Sequence, residues 1–293
     1  MKFSQILLSL FVTSMLAACG GGGGGGGSTA TTISGSIVEG QVNGAAVTAY
    51  AISNSMQGSQ IATATTDTSG NFHLSVGGYA GPVMLQMRGG TYIDEATGTA
   101  MVMAPGDVMS AVLPTVTAGA SLSGIQVTPL TSMAQAMAQH MAGGLTDANI
   151  AMANTAIGNY FSVNDILHTQ PMNPLVAGSG TGASQDMRNY GATLAAMSQY
   201  AKTLGMPASS ALITAMMNDA SDGIMNGMNG SSQITMSMGG MMGGSMMTST
   251  AGTSGLATAM TNFMNSSANV SGLTAIDMAA LIQKLINTNG MLL

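Results

Sequence analysis

Residues 61–76 read IATATTDTSGNFHLSV. A run of alternating small and β-branched residues reaches Asp67-Thr-Ser-Gly70, then a second run puts Phe72, Leu74 and Val76 on one face. Asp followed three positions later by Gly is good turn chemistry: the Asp side chain satisfies nearby backbone N–H groups, and Gly accepts the backbone that closes the turn. The stretch therefore predicts a hairpin-like pair of short strands.

The same pattern extends outward. Residues 33–52, ISGSIVEGQVNGAAVTAYAI, alternate Ile33, Gly35 and Ile37, then Ala45, Val47 and Ala49, with turn residues from Glu39 to Gly44 between them. Residues 81–90, GPVMLQMRGG, alternate Val83, Leu85 and Met87. Short strands punctuated by turns predict a β-sandwich, because each strand presents one apolar face that a second sheet must cover.

These residues carry a resemblance. Gly35-x-Ile37, Gly44-Ala-Ala-Val47-Thr-Ala-Tyr50 and Ala64-Thr-Thr-Asp67-Thr-Ser-Gly70-Asn-Phe72-x-Leu74 resemble the carboxypeptidase regulatory-like domain over about residues 33–90. The resemblance implies a small transthyretin-like β-sandwich that serves as an accessory module and carries no catalytic residues of its own. The segment GGTYIDEATG, residues 89–98, is similar to bacterial lipoproteins that join such a sandwich to a helical C-terminal region. Within it Asp94-Glu95 is the one adjacent acidic pair. It reads either as a ligand or calcium contact in a loop or as a polar turn ending a hairpin.

Residues 101–127 read as further strand and loop, since Pro105, Pro114 and several glycines prevent long helices. The period changes at Thr128, which suits a cap, with Pro129 at the first helical position. Leu130, Met133, Met137 and Met141 then share a helical face. A second helix starts at Thr146 with Ile150, Ala153, Ile157 and Phe161 on one side. A third carries Met187, Tyr190, Leu194, Met197, Ala201 and Leu204, and a fourth spans about 207–220. A fifth runs over about 256–266. The sixth starts at Thr274, where Thr274 and Asp277 form a near capping box. The predicted fold class is α+β in two units: a transthyretin- or Ig-like β-sandwich with trailing strands at 33–127, then an irregular all-α helical bundle at 128–293.

The N-terminus, MKFSQILLSLFVTSMLAAC, has Lys2 before a short apolar run and ends in Leu16-Ala17-Ala18-Cys19. The run is too short for a transmembrane helix and has the length of a signal segment. The final box resembles that of bacterial lipoproteins, which implies cleavage after residue 18 and diacylation of Cys19, the sole cysteine. Two acyl chains suffice for stable membrane anchoring. Gly20 rather than Asp after the cysteine implies, by the same resemblance, the outer membrane, on its periplasmic or surface-exposed side. Gly20 to Gly27 and the residues through 32 form a tether, with a root-mean-square reach of about 20 Å.

Composition narrows the function. Of the 293 residues only 5% are charged, the formal net charge is −6, and there are 5 lysines and arginines. So few cations form neither a phosphate-tracking groove nor a patch for anionic headgroups, which excludes nucleic acid as a partner. With one cysteine there is neither a disulfide within the chain nor a thiolate metal site. His73, His140 and His168 make no HxxxH spacing, and GSGTG at 178–182 is neither a Walker A motif nor GxGxxG. No GxSxG elbow occurs.

Methionine is the chain's excess, at 30 residues. On helix faces it occupies the positions leucine would. The segment 225–247 differs, with eight methionines among glycine and serine rather than a helical period, and within it the alternating QITMSM, Gln233 to Met238, reads equally as a short strand. Met236, Met238, Met241, Met242, Met246 and Met247 could bring soft thioether sulfurs to one Cu(I) or Ag(I) ion. The leading expectation is a non-catalytic cell-envelope lipoprotein without a cofactor, binding or scaffolding an unidentified envelope protein or glycan. One alternative is a periplasmic Cu(I)- or Ag(I)-binding protein using those six methionines. The other is a glycan- or peptide-acting enzyme housed in the helical region.

Overall fold

The computed structural model describes residues 30–104, 106–236 and 244–292. The expected signal segment, Cys19 and most of the tether lie outside the described residues, as do Met238, Met241 and Met242.

The fold is mixed α+β. Nine strands come first: β1 Thr32–Ile37, β2 Ala46–Ser53, β3 Met56–Thr65, β4 Asn71–Ser75, β5 Gly81–Arg88, β6 Thr91–Ile93, β7 Ala100–Val102, β8 Val108–Val116 and β9 Ser121–Val127. Helices α1 Pro129–His140, α2 Asp147–Phe161, α3 Gln185–Thr203 and α4 Ser210–Ala220 follow. Four two-residue strands come next, β10 Met228–Asn229, β11 Ser232–Gln233, β12 Thr235–Met236 and β13 Ser245–Met246. Helices α5 Ser254–Met264 and α6 Ala279–Asn287 close the described chain.

The turn at Asp67 behaves as its chemistry dictates. Asp67 Oδ1 accepts from the backbone N–H groups of Ser69 at 2.8 Å and Asn71 at 2.9 Å. These bonds, with that from the Asn71 side chain, hold the Asp67 carboxyl below its ordinary range. Gly70 closes the turn at φ 79°. The strands on either side join different sheets: β4 enters a three-stranded sheet of order β4-β1-β9, while β3 is an edge of an antiparallel four-stranded sheet, β3-β2-β5-β8. β1 runs antiparallel to β4 and parallel to β9. Gly35 sits at the irregular register of β1 with β9, where a Cβ would lie 1.8 Å from the Ile125 carbonyl oxygen.

Register decides which core each strand residue enters. The cross-strand row Ala49–Leu85–Ala111 joins Ile33, Ile37, Phe72, Leu74 and Ile125 of the other sheet in one buried cluster. One residue along, the row Tyr50–Met84–Val112 faces the other way and packs with the helices. This is the period-2 consequence of a pleated strand. The four-stranded sheet therefore has apolar cover on both faces, one buried cluster on the side of the other sheet and a second on the side of the helices.

α1 also covers the edge strand β8. Thr131 Oγ1 and Ser132 Oγ donate to the Ser110 carbonyl at 2.8 and 3.2 Å, and the Ser110 N–H donates to Ser132 Oγ at 2.9 Å. An edge strand buried without such partners would leave backbone polar groups unsatisfied.

Two expectations need correction. The region after residue 128 is not all helical, because β10 to β13 form two short ladders between α4 and α5. The sixth helix begins at Ala279 rather than Thr274. Asp277 Oδ2 accepts from the Thr274 N–H at 2.8 Å and its hydroxyl at 2.7 Å, which makes a local turn ahead of the helix instead of a cap on it. Among the described residues no helix is long and apolar enough to cross a membrane.

Candidate functional site

Three parts of the strand region meet α3 and the start of α4. They are the turn after β1, the β6–β7 hairpin turn and the loop before β8. Each presents an acid to a serine of the helices. Glu39 Oε1 accepts from Ser209 Oγ at 2.6 Å. Glu95 Oε2 accepts from Ser198 Oγ at 2.7 Å, and its Oε1 from the Gly40 N–H at 2.7 Å. Asp107 accepts from Ser210 Oγ. Lys202 Nζ donates to the Ala96 carbonyl at 2.7 Å.

Ser209 stands at the N-cap of α4, yet its side chain makes no capping bond. The hydroxyl goes to Glu39 instead, and its oxygen lies 3.0 Å from the Tyr92 hydroxyl. Burial raises the Glu39 carboxyl well above its ordinary range, with Glu95, Asp94 and Asp107 adding to the rise and the Ser209 bond opposing it. Glu95 is raised chiefly by burial, with its bond to Ser198 opposing. Glu39 is 2% exposed and its Oε2 has no hydrogen-bond partner. An ionised carboxylate there would be costly, so the proton is retained more readily than in water.

The Asp94-Glu95 pair divides its work. Asp94 Oδ1 accepts from the Thr97 N–H at 2.9 Å and Thr97 Oγ1 at 2.8 Å, closing the hairpin turn. Glu95 reaches α3. Both are buried rather than presented at an exposed loop tip. Glu39, which the sequence placed in a turn, is the acid that sequence reasoning missed.

Beside these contacts lies a cleft of about 310 Å³. Gly40, Gln41 and Glu95 form its strand side. Pro171, Met172 and Pro174 form a second wall, and Met187, Gly191 and Leu194 of α3 form the third. The 170–174 loop lies directly on α3: the Met172 N–H donates to the Met187 carbonyl at 3.0 Å, and a Cβ on Gly191 would lie 2.0 Å from the Met172 carbonyl oxygen. Gly182, from the GSGTG segment, also lines the cleft, and a Cβ there would meet nothing within 4 Å. Glu95 is the one ionisable residue in the lining, which has no aromatic ring.

The other residues singled out by sequence are dispersed. Met236 and Met247 are buried, at 1% and 0% exposure, whereas Met246 is 56% exposed. In the β12–β13 ladder Met236 pairs with Ser245 and Thr235 with Met246, so Met236 and Met246 point to opposite faces. His73 is exposed on β4. His140 Nδ1 lies 3.0 Å from the Ala136 carbonyl oxygen at the end of α1, and His168 Nδ1 lies 2.8 Å from Asp165 Oδ2. Among the described residues no group of three or more His, Cys, Asp or Glu is placed to hold a metal ion.

A second buried carboxyl lies at the end of α4. Asp219 Oδ1 accepts from the N–H groups of Asn226 at 2.9 Å and Gly227 at 2.7 Å, while Oδ2 has no partner. Burial pushes its pKa up to about 6 against those bonds. No protein-family model matches the chain, and no curated protein matches it.

Proposed function

We propose that this chain is a bacterial outer-membrane lipoprotein, lipidated at Cys19 and tethered by its glycine run. In this reading the strand region is a carboxypeptidase-regulatory-like sandwich followed by a helical unit, and the whole acts as a non-catalytic binding module. The cleft between the turn after β1, the 170–183 loops and α3 is its binding site. The observation that carries this is the cleft itself: about 310 Å³, at the small end of ligand-pocket volumes, with apolar Met172, Met187 and Leu194 beside polar Gln41, Gln170 and Asn173 in its lining. Glu95 is its only ionisable lining group, and both of its oxygens are already hydrogen-bonded to Gly40 and Ser198. Hydrolytic chemistry needs a nucleophile or activated water beside a base, and the cleft offers binding surface instead.

The test is a thermal-shift screen of full-length protein in detergent against short peptides and cell-wall glycan fragments, beside Gly182→Leu. Gly182 lines the cleft and a Cβ there meets nothing within 4 Å, so the variant adds a bulky side chain at the cleft's edge without a clash. A ligand should raise the melting temperature of the wild type and leave Gly182→Leu unmoved. Equal shifts in both proteins would remove the cleft as the site, and turnover of a fragment would replace binding by catalysis.

A further inference from the structure

We propose that β3 is an edge at which two copies of this chain pair: their β3 strands run antiparallel about a two-fold axis at Thr63 and join the two four-stranded sheets into one.

The sandwich covers its other long edges and leaves this one open. β8, at the far side of the four-stranded sheet, is tied to Thr131 and Ser132 of α1, and its Thr115 N–H donates to Asp147 Oδ1 at 2.9 Å. β9, at one edge of the three-stranded sheet, has its Gln126 N–H bonded to the Leu167 carbonyl at 2.8 Å. β4, at the other edge, is only five residues long. β3 ends its sheet with ten, and among the described residues no strand or side chain hydrogen-bonds to its outer side. Its sequence, MQGSQIATAT, holds no proline and no charge, the usual guards of a free edge. What blunts it is the irregular register opposite Tyr50, which leaves residues 62–66 as the regular part.

That part turns alternate peptide groups outward. The Thr66 N–H donates to the Ala45 carbonyl at 2.9 Å, and pairing continues unbroken from Ala46–Thr65 to Ala49–Ala62. Backbone groups alternate sides along a strand, so Ala64 and Ala62 direct theirs to β2, while Thr65 and Thr63 present N–H and C=O to the outside. The side chains alternate as well. Ala62 and Ala64, opposite buried Ala49 and Val47, are half-buried at the rim of the inter-sheet core, and Thr63 and Thr65 are exposed.

A second copy matches this edge. About an axis at Thr63, the two Thr63 residues exchange N–H···O bonds, and Ala62 of one copy meets Ala64 of the other, so methyl groups close the open rim of both cores. Charge permits the contact: residues 40–66 hold no charged side chain, whereas the chain as a whole carries −6 and faces that bear acids repel their like. Asp67 lies past the regular ladder, and its carboxyl already accepts from the Ser69 and Asn71 N–H groups. A foreign peptide on an edge is selected by pockets for its alternate side chains. Here the edge offers threonine hydroxyls and alanine methyls, and no residue of β3 lines the cleft. So short a ladder buries less than the roughly 1,200 Å² at the low end of standard interfaces, which makes the dimer reversible rather than permanent.

Sedimentation equilibrium of full-length protein, in density-matched detergent kept in excess, tests the pairing. The wild type should pass from monomer to dimer below about 100 µM, and Thr63→Lys, which sets two ammonium groups face to face on the exposed side, should weaken the dimer at least about tenfold. The second measurement is disulfide trapping in a full-length chain carrying Cys19→Ala, where an introduced thiol is the sole one. Opposed Cα atoms of a hydrogen-bonded pair lie about 5.5 Å apart, within disulfide range. Thr63→Cys should therefore cross-link two copies under mild oxidation, while Thr68→Cys, in the exposed turn, should not. Circular dichroism of each variant must match the wild type; the trapping carries the test if Thr63→Lys does not fold. A wild type that stays monomeric to about 100 µM overturns the proposal and leaves the edge to a foreign strand. A dimer that persists in Thr63→Lys, or cross-links equally through Thr68→Cys, lies on another face and overturns β3 as the contact.

Discussion

Ser198 Oγ donates to Glu95 Oε2 at 2.7 Å across 103 positions of sequence, and the bond ties the β6–β7 turn to the middle of α3. Both residues are buried. With Ser209–Glu39 and Ser210–Asp107 it makes the contact between strands and helices hydroxyl-to-carboxyl rather than ionic. That choice suits a chain with few cations. It also makes the junction sensitive to the loss of any one hydroxyl.

Removing the Ser198 hydroxyl leaves a buried carboxyl oxygen unsatisfied, so Ser198→Ala should destabilise the protein by about 1–3 kcal/mol. Ser209→Ala should cost more, because it strips a partner from both Glu39 and Tyr92. Urea unfolding of the two variants and the double variant checks this. Strict additivity with both single costs below about 0.5 kcal/mol would mean the hydroxyls do not hold the junction.

Gly40 has no substitute at its position. Its φ is 53°, and a Cβ would lie 2.0 Å from the Ile93 carbonyl oxygen, a backbone atom that cannot swing aside. Gly40→Ala should therefore combine left-handed strain with displacement of β6, costing about 3 kcal/mol or more. It should also weaken the Gly40–Glu95 bond and so lower ligand affinity at the cleft. A melting temperature within a degree or two of wild type would contradict the close approach of the two turns.

These contacts mark where sequence stops being informative. The caps of α1 and α2 were legible because their partners lie within a few residues: Thr128 accepts from the Thr131 N–H, and Thr146 from the Asn149 N–H. The Asp67 turn was legible for the same reason. Glu39 was not, since its donor Ser209 lies 170 positions away and an acid beside glycine reads as a solvated turn. The cleft walls at 170–174 and 179–183 have no period to read. Strands β10, β11 and β13 are two residues each and show no alternation, whereas β12 lies within the alternating run from Gln233. The start of α6 was misplaced because Thr274 and Asp277 close a turn with the same residue types that cap helices.

Three carboxyls raised on folding, Asp219, Glu39 and Glu95, contribute a pH dependence of unusual sign. Asp219 is raised from 3.8 to about 6, and Glu39 is raised well above 4.5. A carboxyl raised on folding binds more protons in the native state, so stability is greatest below the unfolded pKa and falls as pH rises through the folded one. For Asp219 that loss spans pH about 4 to 6 and amounts to ~3 kcal/mol at most. Asp219→Asn should flatten the fall in that window, and Glu39→Gln should gain on wild type as pH rises above the ordinary carboxyl range. Denaturation midpoints at a series of pH values measure both. A wild type whose stability climbs steadily from pH 4 to 7, with neither variant altering the slope, would refute the assignment.

The anchor proposal turns on one atom. Cys19→Ala should abolish incorporation of labelled palmitate and release the protein from the membrane fraction, with unchanged circular dichroism of the remaining chain. A variant that stays membrane-bound and unlabelled would locate attachment elsewhere in the chain.

The methionine-rich segment makes its own prediction through accessibility. Sulfur oxidation follows exposure, and Met246 at 56% stands apart from Met236 at 1% and Met247 at 0%. Dilute hydrogen peroxide followed by peptide mapping should convert Met246 early, alongside Met56 at 64% exposure, and spare Met236 and Met247 until urea unfolds the chain. Met247→Ala should cost about 2–5 kcal/mol as a buried deletion, whereas Met246→Leu should lie within about 0.5 kcal/mol of wild type. The same mapping bears on Cu(I). A single ion held jointly by Met236, Met246 and Met247 would require residues on opposite faces of the β12–β13 ladder to converge, which means opening it. A Met236→Leu, Met247→Leu double variant should therefore give up Cu(I) to a competing chelator at the same chelator concentration as the wild type, and tighter retention by the wild type would show that the ladder opens around the metal.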